Sequence, residues 1–74
     1  MAHERIEMNP AIMGGKPVIK GTRMTVEISL RLLSERHSVA EILEHYPYLD
    51  ADDIYAAQAF AADSLSSARF LAAE

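Results

Sequence analysis

Residues 14–23, GGKPVIKGTR, contain every glycine and every lysine of the chain and no acidic residue. Glycine permits backbone conformations with φ > 0, and successive amides in such turns bind anions. Phosphate binding is therefore the first chemistry that this segment suggests. The spacing differs from that of a P-loop, in which a lysine directly follows the last glycine and a helix begins immediately afterwards. Here Lys20 precedes Gly21, and Pro17 removes an amide from the middle.

The other interpretation of this segment is structural. Its glycines, proline and threonine are expected to form the fixed turns of a short β element that leads into the first helix. These turn residues are Gly14, Gly15, Pro17, Gly21 and Thr22. The basic side chains of the segment are then either solvated or bound to an anionic partner, and the sequence favours neither alternative.

The charge of the chain is unevenly distributed. Residues 1–36 contain six Lys or Arg against four Asp or Glu, a net +2, whereas residues 37–74 contain one against seven, a net −6. A β-ribbon can enter the major groove of DNA, and a symmetric dimer presents two copies of it. The candidate DNA-binding residues are therefore the cations of the β element: Arg5, Lys16, Lys20 and Arg23.

Two short segments predict the β element. Ile6 and Met8 alternate along residues 4–8 and are expected on one side of a strand, and Val18 and Ile19 form a second β-prone piece. A two-stranded ribbon is marginally stable in water. We therefore expect it to pack on helices or on a second subunit.

Three helices are expected to follow the β element. Thr25 is a candidate N-cap for the first, and Ser38 with Glu41 forms a capping box for a second helix of about two turns that ends before Pro47. Asp50 is a candidate N-cap for a third helix that runs without a breaker to about residue 72. The apolar stripe of the first helix is predicted from Val26, Leu30 and Leu33, widened by Ile28 and Leu32.

The second and third helices resemble a helix-turn-helix in spacing. In that motif the start of the second helix meets DNA bases, but here it carries Asp50, Asp52 and Asp53, which repel a polyanion. These carboxylates are interpreted as helix-capping residues that complement the helix dipole.

Catalysis has little support in the sequence. The chain has no cysteine, its three histidines lack metal-ligand spacing, and no nucleophile–base set is evident, so neither enzymatic activity nor a metal or cofactor is expected. Tyr46, Tyr48 and Tyr55 lie around Pro47. Core packing is the favoured interpretation of these tyrosines, and a hot spot for a protein partner is the alternative.

The length of 74 residues predicts one domain, with the β element in residues 5–24 and the helical core in residues 25–73. A core of this size supplies little stability, and disulfides are excluded, so self-association as a homodimer through the alanine-rich third helix is expected. No apolar run approaches the roughly 20 residues of a membrane span, and no signal peptide opens the chain. A cytoplasmic location is expected.

The combination of residues 14–23 with Asn9-Pro10, Tyr46-Pro47 and Asp53-Ile54 resembles the small bacterial family called domain of unknown function 433. The resemblance covers about residues 5–63. It implies a homeodomain-like helical core behind a short β element. It also implies a role as a VapB-type antitoxin, encoded beside a PIN-like ribonuclease toxin.

These observations predict a dimeric antitoxin-like protein that neutralises a PIN-like ribonuclease and binds operator DNA. The first alternative is a DNA-binding regulator with no toxin partner. The second is a nucleotide or anion binder that uses the glycine-rich segment. Genomic context distinguishes the antitoxin from the DNA-binding regulator, because only the antitoxin is encoded beside a nuclease.

Overall fold

Three helices follow a two-stranded antiparallel sheet in the computed structural model, which describes residues 3–67. The elements in chain order are β1 (Ile6–Glu7), a 3-10 turn (Met13–Gly15), β2 (Val18–Ile19), α1 (Val26–Ser34), α2 (Val39–His45) and α3 (Ala51–Ser66). The predicted fold class, a short β element followed by a helical core, is confirmed.

The sheet is only two residues long on each side. Ile6 pairs with Ile19 and Glu7 with Val18, and an isolated bridge joins Val18 to Thr25 on its other side. Val18 and Ile19 are almost fully buried, which explains how so short a ribbon persists. The expectation for Met8 was wrong, because β1 ends at Glu7 and the Met8 side chain is 62% exposed.

Each helix begins at the predicted cap. The Thr25 hydroxyl accepts the third amide of α1 at 3.0 Å. Ser38 and Glu41 exchange the two hydrogen bonds of a capping box at 3.1 and 2.8 Å, and Asp50 and Asp53 exchange another pair at 2.9 and 3.0 Å. These local hydrogen bonds satisfy amides that the helix itself leaves free.

The end of α1 was not predicted. The His37 amide donates to the Leu32 carbonyl at 3.1 Å and the Arg36 amide to the Leu33 carbonyl at 3.0 Å, which is the Schellman pattern. Arg36 has a φ of 73°, a left-handed conformation that this motif usually assigns to glycine. Arg36, a non-glycine residue, therefore occupies the left-handed position of the turn between α1 and α2.

The core lies where the ribbon and the three helices meet. Its buried centre consists of Ile19, Met24, Ile42, Leu49 and Ile54. Partly buried apolar side chains from β1, α1 and α2 surround this centre, and α3 packs against β1, α1 and α2. Apolar side chains from both strands and all three helices thus meet around the first turns of α3.

The predicted apolar stripe of α1 needs one correction. Ile28 is 41% exposed, whereas Ser29 is fully buried on the inner face. The Ser29 hydroxyl donates to the Val26 carbonyl at 2.9 Å, so its burial leaves no unpaired polar group. The small polar residue Ser29 is therefore buried in place of its larger apolar neighbour Ile28.

Helix α2 has seven residues and ends at His45, as predicted from Pro47. Helix α3 has 16 residues, about 24 Å long, and Ser67 lies at its end. The predicted continuation of this helix to residue 72, and residues 68–73 of the predicted helical core, lie outside the described residues. None of the helices described within residues 3–67 combines the length and apolar character needed to cross a bilayer.

Candidate functional site

The turn that follows β2 displays two cations. We call residues 20–23 the basic turn. The Ile19 amide donates to the Met24 carbonyl at 2.9 Å, which closes the loop, and the Thr22 amide and hydroxyl both donate to the Ile19 carbonyl, at 3.0 and 2.7 Å. Gly21 has a φ of 79°, the value that the third position of a type II turn requires. Lys20 and Arg23 thus stand at the two ends of a fixed turn.

Both cations of the basic turn are exposed. Within residues 3–67, neither Lys20 nor Arg23 has a carboxylate within the 4.0 Å of an ion pair. Their charges are therefore not neutralised by the described part of the chain. Two such cations at one turn attract a phosphate backbone.

Lys16 is placed differently. Its ammonium lies 3.7 Å from a Glu27 carboxylate oxygen, and Arg31 reaches the other oxygen of Glu27 at 3.6 Å. All three side chains are more than half exposed, so these pairs contribute little to stability. Lys16 therefore shares one carboxylate with Arg31 at the start of α1, and the three residues together have a net charge of +1.

Arg5 is turned toward the start of α3. Its guanidinium donates to Asp53 at 2.8 Å and to Asp50 at 3.2 Å, and it lies 3.8 Å from Asp52. The pKa of Asp50 lies below its ordinary value because its carboxylate accepts the Asp53 amide, and the Arg5 charge lowers it further. Arg5 thus ties the ribbon to α3, and three carboxylates outweigh its charge locally.

The backbone amides of the glycine-rich segment are mostly engaged within the chain. Gly15 donates to the Ile12 carbonyl at 3.0 Å, Lys16 to the Met13 carbonyl at 3.3 Å and Lys20 to the Arg5 carbonyl at 2.7 Å. Gly14 and Gly15 have φ values of 68° and 87°, but their turn closes on itself. This arrangement leaves few amides for an anion and disfavours a phosphate cradle.

The three tyrosines do not form one cluster in the core. Tyr46 packs against the core and meets the Tyr48 ring edge-on at a centroid distance of 6.2 Å. Tyr48 and Tyr55 are 61% and 55% exposed. Tyr46 therefore packs against the core, and contact of the exposed Tyr48 and Tyr55 with a protein partner stays a prediction.

A groove between α1 and α3 was not expected from the sequence. It has a volume of about 660 Å³ and is mainly apolar, with Leu30 on the α1 wall and Phe60, Ala61 and Leu65 on the α3 wall. The available signal was the apolar character of Leu30 and Leu65 on two helices. Sequence patterning alone assigns such residues to a core rather than to a groove.

The family model described as "Protein of unknown function (DUF433)" matches residues 6–61. The chain belongs to the DUF433 family. Uncharacterized protein y4eO of Sinorhizobium fredii (strain NBRC 101917 / NGR234) is 40% identical to it over 60 residues. The match covers 81% of this chain and 27% of that protein, so the chain spans about a quarter of its relative.

The solved structure of a DUF433 member protein from Anabaena variabilis ATCC 29413 has the same fold. Its TM-score to this chain is 0.79 and its sequence identity 27%. The match covers 84% of this chain and 61% of the other, so this DUF433 chain spans less than two thirds of that protein. The similarity therefore supports the ribbon and three-helix architecture that positions the basic turn.

Proposed function

We propose that this DUF433 chain is a binding protein rather than an enzyme. It acts as an antitoxin-like protein that contacts operator DNA through the basic turn and neutralises a PIN-like ribonuclease toxin through other surfaces. The observation that carries the DNA half is the basic turn itself, in which Lys20 and Arg23 are exposed and have no ion-pair partner among residues 3–67.

The shape of the basic turn supports this role. Its loop is closed by backbone hydrogen bonds, and the Thr22 hydroxyl accepts the Met24 amide at 3.0 Å. A loop that is already ordered loses less conformational freedom when it binds. The start of α3 is the less suitable DNA contact, because Asp50, Asp52 and Asp53 would face the phosphates there.

The toxin half rests on the family resemblance and on the charge of the helical region. Residues 37–74 have a net charge of −6, and the Asp52 side chain is 76% exposed. An acidic surface is complementary to the basic surface with which a ribonuclease holds RNA. The exposed Tyr48 and Tyr55 side chains provide apolar contact area beside the acidic residues.

Binding to DNA from the region upstream of the gene tests the first half. Arg23→Ala is expected to weaken binding and lower its salt dependence, because the variant neutralises one phosphate fewer. Arg36→Ala is the matched control, since it removes the same charge from an exposed arginine outside the basic turn. Equal effects of the two variants would remove the basic turn from the interface.

Co-expression with the product of the neighbouring gene tests the toxin half. The expected result is a stable complex on size exclusion and loss of ribonuclease activity on a model RNA. The absence of both would contradict the antitoxin role. DNA binding that persists without a complex would instead support the alternative of a regulator with no toxin partner.

A further inference from the structure

Arg5 is bonded within the chain through both its side chain and its backbone. Its guanidinium donates to Asp53 at 2.8 Å and to Asp50 at 3.2 Å. Its carbonyl accepts the amide of Lys20 at 2.7 Å, and Lys20 is the first residue of the basic turn. Arg5 therefore connects the acidic start of α3 directly with one of the two cations proposed to bind DNA.

Asp53 is the principal partner of the guanidinium. Its side chain is 14% exposed, against 64% for Asp50 and 76% for Asp52. Its ion pair with Arg5 is therefore the one least weakened by water. The hydrogen bond to Asp53 is also the main reason that the pKa of Arg5 lies above its ordinary value. Asp52 lies 3.8 Å from the guanidinium, beyond hydrogen-bonding distance.

The hydrogen bond from Lys20 to Arg5 fixes where the Lys20 end of the basic turn lies. Hydrogen bonds within the turn set its shape, and the buried Ile19 anchors β2 in the core. β1 is held less firmly, because both of its residues are only partly buried and a two-stranded ribbon is marginally stable by itself. The ion pair of Arg5 with Asp53 is thus a second attachment of β1 to α3, beside the packing of Ile6 against the core.

We propose that Arg5 is a positioning residue for the basic turn and not itself a contact for DNA. By binding Asp53 it holds β1 against α3, and its carbonyl holds the Lys20 amide, so that Lys20 meets the phosphates together with Arg23. The inference rests on the proposed DNA contact of the basic turn. It gives Arg5 a different role from the direct DNA contact that the sequence suggests.

The sign of a charge change distinguishes positioning from direct contact. Asp53→Asn removes a negative charge, so electrostatics alone predicts tighter binding to DNA from the region upstream of the gene. The asparagine keeps an oxygen that can accept the Asp50 amide, so the cap of α3 remains. If Arg5 acts through Asp53, Arg5→Gln and Asp53→Asn each weaken binding roughly three- to tenfold, because Lys20 must then be ordered on binding. The double variant is expected to bind no more weakly than either single variant.

Asp52→Asn is the matched control for charge. It removes the same charge from the same turn of α3 without removing a hydrogen bond to Arg5, so it is expected to leave the affinity for DNA unchanged or to raise it. Tighter binding by Asp53→Asn, with weaker binding by Arg5→Gln, would overturn the proposal and assign Arg5 to the DNA contact.

Amide hydrogen exchange of the protein without DNA tests the positioning step separately. Exchange at Lys20, measured against the Ile42 amide of α2, is expected to quicken roughly threefold or more in Arg5→Gln and Asp53→Asn but not in Asp52→Asn. Arg5→Lys, which keeps a cation beside Asp53, is expected to restore part of the protection. Unchanged exchange at Lys20 in Arg5→Gln would overturn the proposal. If the wild-type protein does not bind the DNA, the proposed DNA contact fails, and the exchange result still decides whether Arg5 positions the turn.

Discussion

Arg36→Gly is expected to relieve a strained turn. An L-residue in the left-handed region costs about 1–2 kcal/mol, and Arg36 has a φ of 73° at the end of α1. Glycine avoids this cost but loses about 0.5–1 kcal/mol more chain entropy on folding. The charge of arginine near a helix C-terminus is also worth about 0.3–1 kcal/mol, and both glycine and alanine remove it.

The informative comparison is therefore Arg36→Gly with Arg36→Ala. Alanine lacks the charge and keeps the Cβ that causes the strain. The glycine variant is expected to be more stable by about 0.5–1 kcal/mol, or roughly 2–8 °C in melting temperature for a domain of this size. Thermal and urea unfolding followed by circular dichroism measure this difference. Equal stability of the two variants would refute the assignment of strain to this position.

Three further variants test the elements that surround the basic turn. Thr25→Ala is expected to cost about 1 kcal/mol because α1 loses its N-cap, whereas Thr25→Ser keeps the hydroxyl; urea unfolding separates them. Ile54→Ala is expected to cost about 2–5 kcal/mol and to unfold most of the protein, whereas Ile54→Val leaves it folded. The pKa of Asp50 is lowered in the folded state, so the ionised carboxylate stabilises the fold. This stabilisation is fully present at pH values above the ordinary pKa of 3.8 and is lost as the pH falls through the lower folded pKa. Asp50→Asn keeps a capping side chain and should reduce the fall in melting temperature at acid pH. A plot of melting temperature against pH that matches the wild type would contradict the role of the Asp50 carboxylate.

The sequence predicted the helix starts because capping is local. Thr25, Ser38 and Asp50 each accept an amide three residues ahead, and such spacing is visible in a single sequence. The end of α1 was invisible to the same reasoning, because the Schellman turn is marked in sequences by glycine and here it contains Arg36.

Long-range contacts account for the rest of what the sequence missed. Arg5 was predicted as a candidate DNA contact, and its ion pairs with Asp50 and Asp53 were missed because these partners lie 45 and 48 residues away. The apolar pattern of α1 predicted a buried Ile28, but Ser29 is buried instead. The sequence missed this because only the fold shows which face of α1 meets α3. The sequence predicted the basic turn as part of a longer segment, whereas only the structure shows that its cations have no carboxylate partner within residues 3–67.

The salt dependence of DNA binding tests the central claim most directly. The slope of log K against log salt is negative, and each phosphate that the protein no longer neutralises is expected to make it shallower by about 0.9. Lys20→Ala/Arg23→Ala should therefore make it shallower by about 1.8 per bound protomer. DNA from the upstream region, with wild-type protein and Arg36→Ala as references, provides the comparison. A slope that the double variant leaves unchanged would contradict the account.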